Sequence, residues 1–186
     1  MDQRSAANHR EGRSNAHVKS GPSGCHLPRF GNGLWLPWIA VGRCEGDVTI
    51  TNAQELQTFV DRGCNSVVGT LVISGSDLTS VSLPGLATAS DLGFLGNPGL
   101  TNVNLPSLTT VSGHYCGIYL ACWSGLYIDN NTALKHLSLP LLTRAVALDI
   151  VDNPALPQCQ AEAILAQLVD VASSDISGND TAATCP

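Results

Sequence analysis

The segment 114–122 contains three residues that serve as zinc ligands in many proteins, namely His114, Cys116 and Cys122. A tetrahedral zinc site needs four ligands, or three and a water molecule, and His136 could supply the fourth. The same two cysteines could instead close a short loop through a disulfide bond. Seven cysteines in 186 residues are typical of an oxidising compartment. We therefore favour the disulfide, and we expect no metal site and no cofactor.

Aromatic residues are concentrated around the same segment. The stretch "SGHYCGIYLACWSGLY", residues 112–127, holds all three tyrosines, Tyr115, Tyr119 and Tyr127, together with Trp123. Aromatic side chains offer a large contact area and stack on sugars or on partner proteins. These four residues are therefore predicted to bind a ligand. In the alternative interpretation, the segment is a surface excursion whose aromatic rings fold back onto the core.

Two carboxylates, Asp129 and Asp149, are expected to share one face of neighbouring strands. Paired carboxylates can act as acid and base in glycoside hydrolysis. The sequence, however, contains no G-x-S-x-G motif, no H-E-x-x-H motif and no phosphate-binding glycine loop. Acidic residues on a protein surface usually serve only as solvated charge. A polysaccharide-cleaving enzyme is therefore the less favoured prediction, and we expect no catalytic residues.

Charge is distributed unevenly along the chain. Residues 1–43 hold six basic residues against two acidic ones, whereas residues 44–186 hold three basic residues against thirteen acidic ones. An acidic body repels phosphate backbones, so we expect no nucleic-acid partner. The sequence also contains no apolar run near the ~20 residues that a transmembrane helix needs.

The basic segment 1–43 forms a separate compositional unit. Its first 32 residues are polar and aperiodic, and we expect them to be disordered. The apolar run in "GLWLPWIAVGRC", residues 33–44, indicates a degenerate export signal, although Pro37 interrupts it and no A-x-A cleavage site follows. The alternative is a mis-started extension without a targeting role. Cys25 lies in this leader and is the odd cysteine of the chain.

A repeated phrase organises the remaining residues, 44–186. The phrase "LTSVSLPGL" at 78–86 returns as "LTNVNLPSL" at 100–108 and, in a weaker copy, as "LKHLSLPLL" at 134–142. The first two copies are 22 residues apart, and the third follows after one further repeat plus an insertion near 112–123. A fixed period in the twenties is typical of solenoids. We therefore predict a mainly β fold, a right-handed β-helix or leucine-rich-repeat-like solenoid with about five 22-residue coils.

Alternation along the first strand of each coil predicts which side chains face the core. The 22-residue spacing places Thr70 and Val72 inward. Leu71, Ile73 and Leu95 then point outward and form an exposed apolar patch. Such patches usually mark interaction surfaces, so these three residues are predicted to bind a ligand. Alternatively, the two tryptophans of the leader cover the patch.

Both ends of the predicted solenoid need a cap. The stretches "NAQELQTFVDRGC", residues 52–64, and "QCQAEAILAQLVDV", residues 158–171, are each typical of a short amphipathic helix. Cysteines flank both helices, so we predict one disulfide at each end of the fold, with buried free thiols as the alternative, and a third disulfide could close the insertion. The cysteines concerned are Cys44 and Cys64, Cys159 and Cys185, and Cys116 and Cys122.

In three places the chain resembles the receptor L-domain family. The matching stretches are "CEGDVTITNAQELQTFVDRGC" at 44–64, "NPGLTNVNLPSLTTV" at 97–111 and "NPALPQC" at 153–159. This family includes the ligand-binding solenoid domains of insulin and epidermal growth factor receptor ectodomains, and similar repeats occur in fungal cell-wall proteins and secreted bacterial proteins. The resemblance covers nearly all of 44–186 and implies a fold rather than a function. The short acidic domain is most similar to the bacterial members, and we expect no signalling receptor.

Together these features predict a secreted or cell-envelope protein that binds a ligand without catalysis. The expected partner is a cell-surface glycan or protein, bound through the segment 112–127 and the adjoining sheet face. The alternative is a structural envelope protein without a discrete ligand.

Overall fold

The computed structural model describes residues 42–113 and 124–185, and over these ranges the chain forms eleven strands and two helices. The helices are α1 (Ala53–Asp61) and α2 (Gln158–Gln167). The strands are β1 (Gly42–Glu45), β2 (Val48–Ile50), β3 (Cys64–Ser74), β4 (Ser80–Ser82), β5 (Thr88–Leu95), β6 (Asn102–Asn104), β7 (Thr110–Val111), β8 (Leu126–Asp129), β9 (His136–Ser138), β10 (Arg144–Val151) and β11 (Asp170–Ser177).

The strands form two parallel sheets. Within the described residues the large sheet has eight strands in the order β1-β3-β5-β7-β10-β11, with β2 beside β3 and β8 between β5 and β10. The small sheet has the order β4-β6-β9. Because parallel neighbours need long crossover connections, the chain leaves one sheet and passes through the other before it returns.

The apolar residues of the repeated phrase form the core. In each copy, the central side chain of the small-sheet strand and the flanking leucines are buried, at Leu78, Val81, Leu83, Leu100, Val103, Leu105, Leu134, Leu137 and Leu139. On the large sheet the inward positions are also apolar, and Leu92, Phe94, Leu126 and Ile128 are almost fully buried. Burial of each such side chain stabilises the fold by about 1.5–3 kcal/mol.

Helix α1 begins at a side-chain cap. The Oδ1 atom of Asn52 accepts a hydrogen bond from the backbone N–H of Glu55 over 3.0 Å. In return, the Oε2 atom of Glu55 accepts one from the backbone N–H of Thr51 over 2.7 Å. This reciprocal pattern is a capping box, shifted by one residue, and it satisfies N–H groups that the helix leaves free. Phe59 anchors the helix in the core.

Helix α2 covers the edge of the small sheet. The Oε1 atom of Gln160 accepts a hydrogen bond from the backbone N–H of Leu137 over 2.8 Å, and the Nε2 atom of Gln167 donates one to the carbonyl oxygen of Leu139 over 2.6 Å. Ala161 and Ile164 are buried against the core. Among the described strands only β6 pairs with β9, so the side-chain amides of Gln160 and Gln167 serve as hydrogen-bond partners at its other edge.

The predicted fold class is wrong. A solenoid of about five regular 22-residue coils with a helix capping each end would have equal sheets and a constant register. Instead, the large sheet of the described chain has eight strands and the small one three. The register also changes along the large sheet, since Leu71 pairs with Leu92 whereas Leu148 pairs with Ser174. Along the sequence each helix lies between strands of the large sheet. A mainly β fold with two parallel sheets and two helices replaces the prediction.

The predicted disulfides at the two ends of the fold are present. Cys44 is bonded to Cys64, with 5.7 Å between their Cα atoms, and Cys159 is bonded to Cys185, with 6.0 Å between their Cα atoms. The first bond ties β1 to β3, and the second ties α2 to the chain beyond β11. Strand β1 begins at Gly42, so the predicted domain boundary between residues 43 and 44 falls inside a strand.

Candidate functional site

The large sheet is interrupted between β7 and β8, and this break is the main irregularity of its surface. Strand β10 pairs with β7 at Arg144 and Ala145, and with β8 only from Leu148 onward. Val146 lies opposite the break and is 41% exposed. Along the chain, the interval between β7 and β8 contains the insertion expected from the sequence.

On one side of the break, backbone hydrogen bonds hold the end of β7. The N–H of Ser112 donates to the carbonyl oxygen of Ala89 over 3.0 Å, and that of Gly113 donates to the carbonyl oxygen of Ser90 over 2.8 Å. Gly113 has a φ of +76°, and a Cβ atom there would collide with Ser124 Oγ and lie 3.1 Å from Val146 Cγ2. The positive φ therefore favours glycine, and a Cβ atom would in addition displace the Ser124 side chain.

On the other side of the break, a buried carboxylate holds the chain. The backbone N–H of Gly125 donates to Oδ1 of Asp91 over 3.0 Å, and Asp91 is only 2% exposed. Gly125 has a φ of +141°, and a Cβ atom there would lie 2.5 Å from the carbonyl oxygen of Ala147. Gly113 and Gly125, on the two sides of the break, are thus both hydrogen-bonded to β5.

Tyr127 lies on the outer face of β8, the strand that follows the break along the chain. Its hydroxyl oxygen accepts a hydrogen bond from the backbone N–H of Ser124 over 2.9 Å, and the residue is half-buried. In the sheet register it lies between Gly93 on β5 and Asp149 on β10. The described part of the predicted aromatic cluster is therefore a fixed ring next to a glycine and a carboxylate.

A cleft of about 360 Å³ lies over the outer face of β7, β10 and β11, next to the break. Its polar lining comes from Thr110, Ser112, Arg144 and Asp170, and its exposed apolar lining from Val146 and Ala172. The volume lies at the lower end of the range of small-molecule sites, about 300–1,000 Å³.

One ion pair crosses this cleft. The Nη2 atom of Arg144 lies 3.2 Å from Oδ2 of Asp170, on the adjacent strand. Both side chains are largely exposed, 62% and 68%, so the pair contributes about 0–1 kcal/mol to stability. Its side chains are therefore available for a ligand at little cost to the fold.

A second group of polar residues lies further along the outer face. Asp149 and Asp175 are direct neighbours on β10 and β11, and the backbone N–H of Asp175 donates to Oδ1 of Asp149 over 3.2 Å. Burial, the largest influence, raises the pKa of Asp149. The hydrogen bond from Asp175 lowers it and the charge of Asp175 raises it, so the net direction is upward. Asp129 is displaced from this pair, because its register partner on β10 is Val151.

Two of the residues predicted to bind a ligand point the other way. Leu71 and Ile73 are 0% exposed and face the core, so their assignment to an exposed patch is wrong. A bulge between Val67 and Thr70 inserts one residue into β3, and the register with β5 shifts by one position. A one-residue shift exchanges the two faces of a strand. The outward residue is therefore Val72, which is half-buried.

The apolar part of the outer face is smaller than the predicted patch. Leu95 does point outward, as expected, but it is half-buried and bends back toward Gly93. Val151 is likewise half-buried. The outer face therefore mixes single apolar side chains with hydroxyls and carboxylates.

Several predicted site residues lie outside the described residues. These are Tyr115, Tyr119 and Trp123 of the aromatic cluster, His114, Cys116 and Cys122 of the alternative zinc site, and Cys25 of the leader. His136, the fourth zinc ligand considered, lies on β9 of the small sheet and is exposed. Within residues 42–113 and 124–185, no group of three or more His, Cys, Asp or Glu side chains could hold a metal ion.

Sequence reasoning missed the four polar residues of the cleft. Arg144 and Asp170 are 26 positions apart, with α2 between them, and no repeat spacing links them. The feature of the sequence that could have located the cleft was the interruption of the 22-residue period. It indicates where the sheet is interrupted, but it does not indicate which side chains lie around the break.

Comparison with known proteins does not identify the chain. No protein-family model matches it, and no curated protein matches it in sequence. Among the described residues, neither helix is long and apolar enough to cross a membrane.

Proposed function

We propose that this protein is a non-catalytic binding module, secreted or held in the cell envelope, that recognises a glycan through the outer face of its large sheet beside the break. The observation that carries the proposal is the fixed position of Tyr127 on β8, on the same outer face as a cleft that is lined by hydroxyl, carboxylate and guanidinium groups but not by Tyr127 itself. Sugars are bound by this combination of an aromatic face and hydrogen-bonding side chains.

The rigidity of the surroundings supports the proposal. Binding residues often lie on connections that a rigid scaffold positions. Here Gly113 and Gly125, the described glycines on either side of the break, are bonded to β5 through Ser90 and Asp91. Tyr115, Tyr119 and Trp123 of the insertion are proposed to contribute to the same recognition.

The size and polarity of the cleft favour a glycan over a protein partner. Protein interfaces usually cover ~800 Å² per partner and have an apolar centre. The outer face instead offers single apolar residues, some half-buried and some exposed, among polar ones. The two disulfides are consistent with an oxidising compartment, which supports extracellular or envelope placement. A relationship in sequence to the receptor L-domain family, without its regular solenoid, and the absence of catalysis are parts of the same proposal.

The test compares variants of the full chain for binding to immobilised cellulose, chitin, mannan, galactan and peptidoglycan. Tyr127→Ala and the triple variant Tyr115→Ala/Tyr119→Ala/Trp123→Ala are compared with Leu141→Ala. Leu141 is a matched control because it is 54% exposed and lies in a turn after the small sheet. Circular dichroism establishes equal folding.

The proposal predicts that at least one polysaccharide binds the unmodified chain and the control, and that Tyr127→Ala weakens this binding at least about tenfold. Two results would overturn it. One is that none of the immobilised polysaccharides binds the unmodified chain, which would favour a structural envelope role. The other is that all variants bind alike.

A further inference from the structure

We infer that the cleft over β7, β10 and β11 binds a neutral sugar unit and holds two of its adjacent hydroxyl groups between Arg144 and Asp170. This inference rests on the proposed function and specifies the ligand chemistry of one part of the outer face.

The first argument is complementarity of donors and acceptors. A guanidinium group only donates hydrogen bonds and an ionised carboxylate only accepts them, whereas each sugar hydroxyl does both. The contact of Arg144 Nη2 with Asp170 Oδ2 places the two groups side by side at 3.2 Å. Among the described residues, the other guanidinium nitrogens of Arg144 and the Oδ1 atom of Asp170 have no hydrogen-bond partner. Two neighbouring hydroxyls satisfy both groups at once.

The second argument concerns the remaining lining of the cleft. Thr110 and Ser112 add two hydroxyl groups on β7 and just beyond it, on the opposite side of Arg144 from Asp170. Val146 and Ala172 offer exposed apolar surface next to them, which suits the C–H face of a pyranose ring. The buried residue Ala145 underlies the cleft and adds no polar group. The volume of about 360 Å³ suits a small ligand rather than a folded partner.

The third argument is that the charges disfavour ionic ligands. An anionic ligand bound to Arg144 would also approach Asp170, in a body with thirteen acidic and three basic residues at 44–186. A cationic ligand bound to Asp170 would approach Arg144. Like charges at short range are repulsive, so the pair selects against both kinds of ion. A neutral polyhydroxylated ligand avoids both penalties.

The experiment titrates the ¹⁵N-labelled full chain with methyl glucoside, methyl galactoside and methyl mannoside, and with glucuronate and glucosamine as charged counterparts. We expect at least one neutral glycoside to shift the amide signals of Thr110, Ser112, Arg144 and Asp170. Arg144→Gln and Asp170→Asn should each weaken this glycoside about tenfold, because each removes charge-assisted hydrogen bonds. The ionic sugars should bind more weakly than the neutral one.

Arg43→Gln is the matched control. Arg43 forms an equally exposed pair with Glu45, 3.2 Å apart, but does not line the cleft. Because both pairs are exposed, neither substitution should unfold the protein. The inference is overturned if no glycoside shifts the cleft signals, if a charged sugar binds best, or if Arg144→Gln behaves like Arg43→Gln. If Arg144→Gln keeps full polysaccharide binding while Tyr127→Ala loses it, only the cleft assignment fails and the proposed function stands.

Discussion

The Nδ2 atom of Asn97 donates a hydrogen bond to Oδ1 of Asn131 over 2.9 Å, and both side chains are completely buried. Asn131 in turn donates to Asn153, and Asn153 to Asn179, so four asparagines form one ladder across the stacked turns. Each rung also serves the backbone, since Nδ2 of Asn131 donates to the carbonyl oxygen of Phe94 and its Oδ1 accepts from the backbone N–H of Asn97. The ladder thus supplies hydrogen-bond partners for backbone N–H and carbonyl groups that are buried in these turns.

We predict that Asn131→Ala lowers the free energy of unfolding by about 3–5 kcal/mol, because several buried polar groups lose their partner at about 1–3 kcal/mol each. Urea denaturation followed by circular dichroism measures the change. Asn102→Ala is the control, because Asn102 is exposed on β6 and should change stability by no more than about 0.5 kcal/mol. Equal effects of the two substitutions would contradict a supporting role for the ladder.

The disulfide between Cys159 and Cys185 closes a segment with a sequence separation of 26, and that between Cys44 and Cys64 closes one of 20. We expect removal of either bond, with both cysteines replaced by alanine, to lower stability by about 2–4 kcal/mol. Thermal unfolding with and without a reducing agent is the measurement. A variant without the bond should no longer respond to reduction of that bond, and unchanged melting would show that the bond contributes nothing.

Gly113 and Gly85 form a matched pair of positions for a glycine test. Gly113 has a φ of +76° and no room for a Cβ atom, whereas a Cβ atom at Gly85 would meet nothing within 4 Å. We expect Gly113→Ala to lower stability by about 1–3 kcal/mol and to weaken glycan binding, because the two ends of the break are forced apart. Gly85→Ala should be neutral or slightly stabilising in the same denaturation assay. Full binding by a folded Gly113→Ala variant would show that the spacing at the break is not important for recognition.

Outside β3 the sequence predicted most residues of the core, and it predicted the two described disulfides, because apolar repetition and cysteine position directly report burial and proximity. It did not predict the register of β3. A fixed spacing assigned Thr70 and Val72 inward, but one extra residue in the bulge places Leu71 and Ile73 there instead. Such a bulge depends on contacts that the repeat does not encode, for instance the hydrogen bond from the backbone N–H of Thr70 to the side-chain Oδ1 of Asp47 over 2.9 Å.

The architecture and the cleft were missed for a related reason. Both helices lie where the sequence predicted them, but equal spacing of the leucines implied equal coils, and α2 lengthens the connection between β10 and β11. Arg144 meets Asp170 only because of that connection. The insertion was correctly identified as an irregularity of the repeat, whereas the partners around the break follow from the sheet register.

Glu55 gives one pH-dependent contribution to stability. Hydrogen bonds from the backbone N–H and the hydroxyl of Thr51 lower the pKa of Glu55 below its ordinary value of about 4.3. The ionised carboxylate therefore stabilises the folded state above that value, and the contribution is lost as the pH falls through the lowered pKa. We expect Glu55→Gln to be less stable than the unmodified chain at pH 7 and equally stable at strongly acidic pH. Denaturation curves over this pH range test the expectation, and a constant difference would contradict it.

Asp149 contributes in the opposite direction. Its pKa is raised mainly by burial, so between the ordinary value of about 3.9 and the raised value the folded state binds more protons than the unfolded chain. Stability from this group is fully present below the ordinary value and is lost as the pH rises through the raised pKa. Asp149→Asn resembles the protonated form and can still accept the hydrogen bond from Asp175, so it should be more stable than the unmodified chain at pH 7 and lose this advantage in acid. Asp129→Asn, on the same face, serves as the control in urea denaturation at each pH. A destabilising effect of Asp149→Asn at pH 7 would contradict this expectation. It would indicate that an attraction to the ionised carboxylate, from a cationic group beside it, exceeds the free-energy cost of burying the charge.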